Sequence, residues 1–144
     1  MTTTRILSSS LAAPQLFEKG QQPMHPSDLA RYPLLSYSAT GERELWEFAR
    51  NGTTATVRAG GDLVSNNGDF LYALARQARG ICLLPNFITE SGVASGQVVP
   101  VCGEWTAPPL WLTLFYPPYE QLPPLVATFA DYFEAYALSL VGGS

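Results

Sequence analysis

The feature that most constrains the fold is Ile81–Pro85, a run of strand length that is apolar at every position. A strand of this kind is covered on both faces, because a half-exposed strand alternates apolar with polar residues. Upstream, apolar residues recur at helical spacing between Phe70 and Ala78. We expect that helix to have Asn67 as its N-cap and Gly80 at its end. A helix leading into a doubly covered strand predicts an α/β fold with a mostly parallel sheet and flanking helices.

Strand and helix signals alternate along the rest of the chain. The pair Asn51-Gly52 separates two strand-like runs and favours a β-hairpin, because both residues tolerate a positive φ. The predicted strands are Arg5–Ser9, Leu34–Tyr37, Leu45–Ala49, Thr53–Arg58, Asp62–Ser65, Gln97–Val101 and Leu110–Tyr116, and the predicted short helices are Pro14–Lys19, Pro26–Tyr32 and a turn at Phe87–Glu90. A long helix is predicted from residue 123 to residue 140.

Length and charge exclude several classes of protein. A chain of 144 residues fits one compact domain, and no apolar run is long enough to span a bilayer. The net charge is -4 and no basic side chain follows Arg79, so the chain offers no clustered basic face to nucleic acid. The two cysteines do not form a disulfide framework, and the N-terminus lacks the pattern of a secretory signal. We therefore expect a cytoplasmic protein whose chain does not itself bind DNA or a membrane.

Catalytic and metal-binding patterns are missing from the sequence. His25 is the only histidine, and it lies in a proline-flanked loop without a partner at metal-ligand spacing. No nucleophile elbow, phosphate-binding loop or dinucleotide fingerprint occurs. Glu42, Glu44 and Glu47 cluster near Arg43, a pattern typical of a solvated face. We expect no enzyme activity, no metal and no cofactor.

Polar side chains stand out at three strand ends. Asn66, Asn67 and Gly68 lie between a predicted strand and the helix that follows, where free N–H groups and amide side chains can hold a ligand. Ser8–Ser10 and Ser36–Ser38 are two further polar stretches at predicted strand ends. In open α/β sheets, ligands bind outside the carboxyl ends of the strands, where these groups would gather. The alternatives are an ordinary helix cap at Asn67 and simple loop composition for the serines.

Many short segments of the chain follow one another in a recognisable order. They are Ile6–Ser10 with Pro14, Leu16 and Gly20–Pro23, then His25–Leu29, Pro33–Leu35, Trp46–Phe48 with Asn51-Gly52, Asn66–Asp69, Ala78–Pro85, Leu112–Pro118, Leu122–Pro124 and Phe129–Phe133. In this order and spacing, the segments resemble the C-terminal part of a LysR-type transcriptional regulator. The sequence departs from the family pattern at Arg79, where leucine is usual. The resemblance covers nearly the whole chain.

This resemblance implies a bacterial regulatory domain with a periplasmic-binding-protein type II fold. It implies a single effector-binding domain fragment over 1–144, in which 5–116 form the second Rossmann-like lobe with two crossover strands near Ile6 and Leu112. The helix over 121–141 would belong to the first lobe. Most of the first lobe, and the N-terminal winged helix-turn-helix that binds DNA in this family, have no counterpart in this sequence.

The resemblance also implies a function. A small effector would bind in the cleft between the two lobes and control DNA binding by the winged helix-turn-helix, within a tetramer in the full-length protein. The effector-binding residues implied for this lobe are Ser9, Ser10, Ser36, Tyr37, Asn66, Asn67 and Gly68. The alternative is a lobe of a solute-binding protein for a small polar or anionic molecule, which shares this fold.

The C-terminal helix carries an apolar stripe that needs a covering surface. Its members recur three or four positions apart: Leu125, Val126, Phe129, Phe133, Tyr136, Ala137 and Leu140. In the family, this helix packs on the first lobe, and an uncovered stripe would form a larger apolar patch than a monomer usually exposes. We therefore expect the chain to self-associate as a dimer or a higher oligomer. The alternative is that the helix frays and the domain stays monomeric.

Overall fold

A computed structural model of the protein describes residues 2–18 and 21–142. The strands are β1 (Thr2–Ile6), β2 (Ser8–Ala12), β3 (Leu34–Tyr37), β4 (Leu45–Arg50), β5 (Thr53–Arg58), β6 (Leu63–Ser65), β7 (Ile81–Pro85), β8 (Val99–Pro100) and β9 (Leu110–Leu114). The helices are α1 (Gly68–Arg76), α2 (Asn86–Ser95) and α3 (Pro124–Gly142), with 3-10 turns at Pro14–Leu16 and Pro26–Arg31. Among the described residues, no helix is both long and apolar enough to cross a membrane.

Five strands form a mixed central sheet in the order β6-β3-β7-β2-β8. Strands β6 and β7 pair parallel to β3, whereas β2 pairs antiparallel to both β7 and β8. Four strands therefore run in one direction and β2 alone runs in the other. The predicted α/β class is confirmed, and the one antiparallel strand explains why the sheet is mixed. Because β2 is reversed, its first residue, Ser8, pairs with Pro85 at the end of β7.

The two faces of this sheet are covered by different elements. On one face, Trp46 and Phe48 of β4 pack with Ile81 in a buried apolar cluster. On the other face, Leu71 of α1 packs with Cys82 in a second cluster. Neighbouring residues of β7 thus belong to apolar clusters on opposite faces of the sheet, as the uninterrupted apolar run predicts.

The predicted hairpin forms over β4 and β5, which pair antiparallel from Leu45 opposite Arg58 to Arg50 opposite Thr53. Asn51 and Gly52 have φ values of 48° and 80°, so both occupy the left-handed region that a tight hairpin turn requires. A backbone hydrogen bond of 2.8 Å from the Ala59 N–H to the Glu44 carbonyl closes the open end of the hairpin.

The end of α1 differs from the prediction. The helix ends at Arg76, and Ala78, with a φ of 58°, makes the left-handed turn expected of Gly80. Gly80 serves packing instead, because a Cβ atom there would lie 2.6 Å from the Pro33 carbonyl oxygen. The chain needs a residue without a side chain at the point where β7 starts beside β3.

Several other boundaries also differ from the predictions. The strand predicted from Arg5 breaks at Leu7 into β1 and β2, since the chain leaves one sheet there and enters another. Helix α2 is a full helix of ten residues where a single turn was expected, and β8 is only two residues long. The first 3-10 turn ends at Leu16, and the predicted helix residue Lys19 lies outside the described residues.

Strands β1 and β9 form a separate antiparallel ribbon, from Thr2 opposite Leu114 to Ile6 opposite Leu110. Strand β1 buries alternate residues, Thr4 and Ile6, and α3 packs mainly against β1. The ribbon contains both segments predicted as crossover strands. It lies outside the central sheet and joins that sheet to α3.

Candidate functional site

A cleft of about 430 Å³ opens at the edge of the sheet where β3 and β7 end. Its wall is completed by the start of α1, the beginning of the hairpin and the turn before β9. The lining residues are Ser8, Tyr37, Glu44, Leu45, Glu47, Gly68, Leu83, Leu84, Pro85, Ile88, Pro108, Pro109 and Leu110. Its volume is in the range of small-molecule sites, which is roughly 300–1,000 Å³.

Tyr37 and Gly68 are the two predicted site residues that line this cleft. Tyr37 is the last residue of β3, and its side chain is 46% exposed. Gly68 is the first residue of α1, and a Cβ atom at this position would lie 3.1 Å from the Cδ1 atom of Ile88. The backbone of the helix start therefore forms part of the cleft wall, and an added side chain would press on Ile88 and Leu84, which also line the cleft.

Ser36 does not line the cleft, but it is hydrogen-bonded to Glu44, which does. The Ser36 side chain is fully buried, and its hydroxyl donates a hydrogen bond of 2.9 Å to Oε2 of Glu44. The same oxygen accepts a bond of 3.0 Å from the Tyr37 N–H. Glu44 is thus half-buried and fixed against the end of β3, which differs from the solvated face predicted for it. Sequence reasoning missed Glu44 as a cleft residue, because only the folded hairpin brings it to β3.

Ser9 and Ser10 hold neighbouring elements together. The Ser9 hydroxyl donates to Oδ1 of Asn86 at 2.9 Å, which links β2 to the start of α2. Ser10 is buried, and its hydroxyl donates to the carbonyl of Val101 at 2.9 Å. Both serines lie in β2, and neither lines the cleft.

Asn66 and Asn67 are exposed beside the cleft and do not line it. Asn67 is the N-cap of α1, since its Oδ1 accepts a hydrogen bond of 3.2 Å from the Phe70 N–H. Its own backbone N–H donates to Oγ of Ser65 at 3.1 Å. The structure therefore brings Tyr37 and Gly68 together in the cleft wall, and Ser36 is connected to the wall through Glu44. The other four predicted residues lie nearby without lining the cleft: Ser9, Ser10, Asn66 and Asn67.

The two cysteines and His25 do not line the cleft. Burial raises the pKa of the Cys82 thiol to about 12 and that of Cys102 to about 11, with the Asp28 charge adding to the second shift. Both cysteines are free and buried, so they persist as neutral thiols near pH 7. His25 accepts a hydrogen bond of 3.1 Å from the Ser27 N–H and caps the second 3-10 turn. Across the described residues, no three His, Cys, Asp or Glu side chains are grouped to hold a metal.

The family of the chain follows from a match over most of its length. The LysR substrate binding domain family matches residues 10–137, and the chain belongs to this family. It is therefore an effector-binding domain of the kind found in LysR-type transcriptional regulators.

Two curated relatives are transcriptional regulators. The HTH-type transcriptional regulator PtxR of Pseudomonas aeruginosa is 29% identical over 108 residues, which cover 75% of this chain and 35% of that protein. The probable HTH-type transcriptional regulator LtrA of Klebsiella pneumoniae is 29% identical over 127 residues, which cover 85% of this chain and 40% of that protein. The chain thus spans well under half the length of these relatives.

Solved structures share the fold. Full-length AphB, a virulence activator of Vibrio cholerae, superposes with a TM-score of 0.76 at 20% identity, over 95% of this chain and 48% of that one. The regulatory domain of AphB from Vibrio vulnificus gives 0.69 at 24% identity, over 94% and 68%. CrgA of Neisseria meningitidis gives 0.70 at 17% identity, over 96% and 47%.

Proposed function

We propose that this chain is the ligand-sensing part of a longer LysR-type regulator and that it binds a small effector in the cleft beside Tyr37 and Gly68. The cleft carries the proposal, because it lies at the carboxyl ends of β3 and β7 and has the volume of a small-molecule site. Family membership supports a regulatory role rather than catalysis. Tyr37 and Gly68 contact the effector, and Ser36 acts by holding Glu44 in place.

The wider arrangement follows the same proposal. Residues 5–116 form the second lobe with its crossover strands, and the helix over 121–141 belongs to the first lobe. A winged helix-turn-helix in the longer protein binds DNA in the cytoplasm, and the bound effector controls that binding. The packing of α3 on the β1–β9 ribbon, rather than on the central sheet, supports the assignment of α3 to another lobe.

Self-association is part of this proposal. Helix α3 leaves Leu125, Phe129 and Tyr136 exposed at 81%, 55% and 55%. Next to them, Phe115 and Tyr119 help to line an apolar depression of about 500 Å³ between α3 and the segment after β9. A row of exposed large apolar side chains beside such a depression is typical of a protein interface, and a second copy of the chain can cover it.

The effector proposal can be tested by blocking the cleft. A leucine at Gly68 would press on Ile88 and Leu84 in the cleft wall, whereas Gly103 has no heavy atom near a Cβ position and supplies the matched control. A small-molecule library is screened for compounds that raise the melting temperature of the chain. A compound present at 100 times its Kd adds about 2.7 kcal/mol of stability.

We expect cleft ligands to stabilise the parent chain and Gly103→Leu but not Gly68→Leu. If every stabilising compound acts equally on Gly68→Leu, effectors do not bind in this cleft and the proposal fails.

A further inference from the structure

The charges that line the cleft are all of one sign. Thirteen of the described residues line it; among these, only Glu44 and Glu47 carry a charge, and none is lysine, arginine or histidine. The only ion pair between described side chains joins Arg50 to Glu104, so neither cleft carboxylate has a described basic side chain as a partner. An anion that enters the cleft would therefore be repelled by the two carboxylates that this lobe contributes.

Glu44 is held in place on one side and open on the other. Its Oε2 accepts hydrogen bonds from the Ser36 hydroxyl and the Tyr37 N–H, at 2.9 Å and 3.0 Å. Its Oε1 has no hydrogen-bond partner among the described residues. A carboxylate fixed by two donors through one oxygen presents the other oxygen in a defined position, without the entropy loss of ordering a mobile side chain on binding.

The helix start beside the cleft does not compensate for this negative charge. Asp69 lies in the first turn of α1, where a carboxylate offsets the positive end of the helix dipole. The side chain of Asn67 already accepts from the N–H of Phe70. Both features weaken the attraction of this helix start for an anion.

The remaining lining favours an apolar body next to the charge. Five leucine or isoleucine side chains and three prolines line the cleft: Leu45, Leu83, Leu84, Ile88, Leu110, Pro85, Pro108 and Pro109. Tyr37 adds an aromatic ring, whose face attracts a cation. A ligand that matches this surface has a positive head group and an apolar remainder.

We propose that the effector bound by this lobe is a small organic cation, an amine or amidine carried on an apolar body, and that Glu44 binds its charged group. The inference rests on the proposed function of the cleft and specifies its ligand class. Glu47, at the rim, adds attraction without a fixed contact, since its side chain is exposed.

The test uses three probes of nearly one shape: benzamidinium, neutral benzamide and anionic benzoate. Each is titrated into the 144-residue chain by calorimetry. Benzamidinium should bind at least tenfold more tightly than benzoate. Glu44→Gln removes the charge but retains an amide oxygen to accept from Ser36 and Tyr37, so the fold should persist. It should weaken benzamidinium binding roughly tenfold, as expected for a charged hydrogen bond.

Glu42→Gln is the matched control, because Glu42 is exposed on the same segment and does not line the cleft. It should leave all three affinities unchanged. Melting temperatures of both variants verify that they fold.

The ligand class is overturned if benzoate binds as tightly as benzamidinium, or if Glu44→Gln binds benzamidinium like the parent chain. Gly68→Leu separates this failure from that of the proposed function. If benzoate or benzamide binds and Gly68→Leu abolishes that binding, the cleft is a ligand site with another preference. If no probe binds the parent chain, or if all bind Gly68→Leu unchanged, the ligand class fails. The proposed function is then decided by the library screen, and it fails only if the compounds found there also act equally on Gly68→Leu.

Discussion

Helices α1 and α3 both carry apolar stripes, but the two stripes meet different surroundings. In α1, Leu71 and Ala75 are fully buried against the sheet. In α3, which is twice as long, only Ala130 and Ala137 are buried among the described side chains, and Leu125 is 81% exposed. An apolar stripe in the sequence therefore predicts a helix in both cases, but it does not reveal whether the same chain supplies the covering surface.

The spacing of α3 explains the difference. Val126, Ala130, Phe133 and Ala137 form one row, at intervals of four, three and four residues, and this row packs inward. Leu125, Phe129, Tyr132 and Tyr136 form a second row at the same intervals, one residue earlier, and this row is exposed. Two neighbouring rows make an apolar face too wide for the β1–β9 ribbon alone. The predicted stripe mixed members of both rows, and its last member, Leu140, has a side chain outside those described.

The largest expected effect compares a buried leucine of α1 with an exposed one of α3. Leu71→Ala leaves a cavity in the cluster that contains Leu35 and Leu84, and should lower the free energy of unfolding by about 2–5 kcal/mol. Leu125→Ala should change it by less than about 0.5 kcal/mol in dilute solution. Urea denaturation of both variants measures the two values. Equal losses would contradict the difference in burial between the helices.

The next effect concerns the exposed row of α3. We expect light scattering at rising concentration to give a mass above 15.6 kDa for the parent chain. Phe129→Glu places a charge in the middle of the row and should weaken association by about 2 kcal/mol, the cost of losing an interface hot spot. Thr128→Glu is the control, because Thr128 is exposed but lies outside both rows. A 15.6 kDa species at every concentration would show that the row is not a self-association surface.

Three predictions that depend on local sequence signals matched the structure, whereas the local signal for Gly80 at the end of α1 did not. The Asn51-Gly52 hairpin, the β7 run and the Asn67 cap each depend on a few adjacent residues. Helix α2 was underestimated because its residues, from Asn86 to Ser95, include Thr, Ser and Gly, which have low helix propensity. Packing against α1 and β7 compensates for that weakness, and packing partners are not visible in a local pattern.

The lining of the cleft likewise includes two residues that local signals predict and one that they do not. Tyr37 and Gly68 were predicted because strand ends and helix starts can be located from local signals. Glu44 was not, because its position depends on the hairpin folding back so that its carboxylate meets Ser36 and Tyr37. Glu44 lies eight positions after Ser36 and seven after Tyr37, across a loop, and no sequence motif predicts these contacts.

The smallest expected effect separates the two asparagines at the start of α1. Asn67→Ala removes the side-chain acceptor of the Phe70 N–H and should destabilise the chain by about 1 kcal/mol. Asn66→Ala removes an exposed side chain for which the described residues supply no hydrogen bond, and should change stability by less than about 0.5 kcal/mol.

Denaturation curves are measured together with ligand affinity for both variants. Neither side chain lines the cleft. Any loss of ligand affinity in Asn67→Ala should therefore come only from fraying at the start of α1, which displaces the backbone of Gly68. A strong loss of affinity in Asn66→Ala without a loss of stability would instead place Asn66 in direct contact with the ligand, and would extend the site from the cleft wall to the exposed turn before α1.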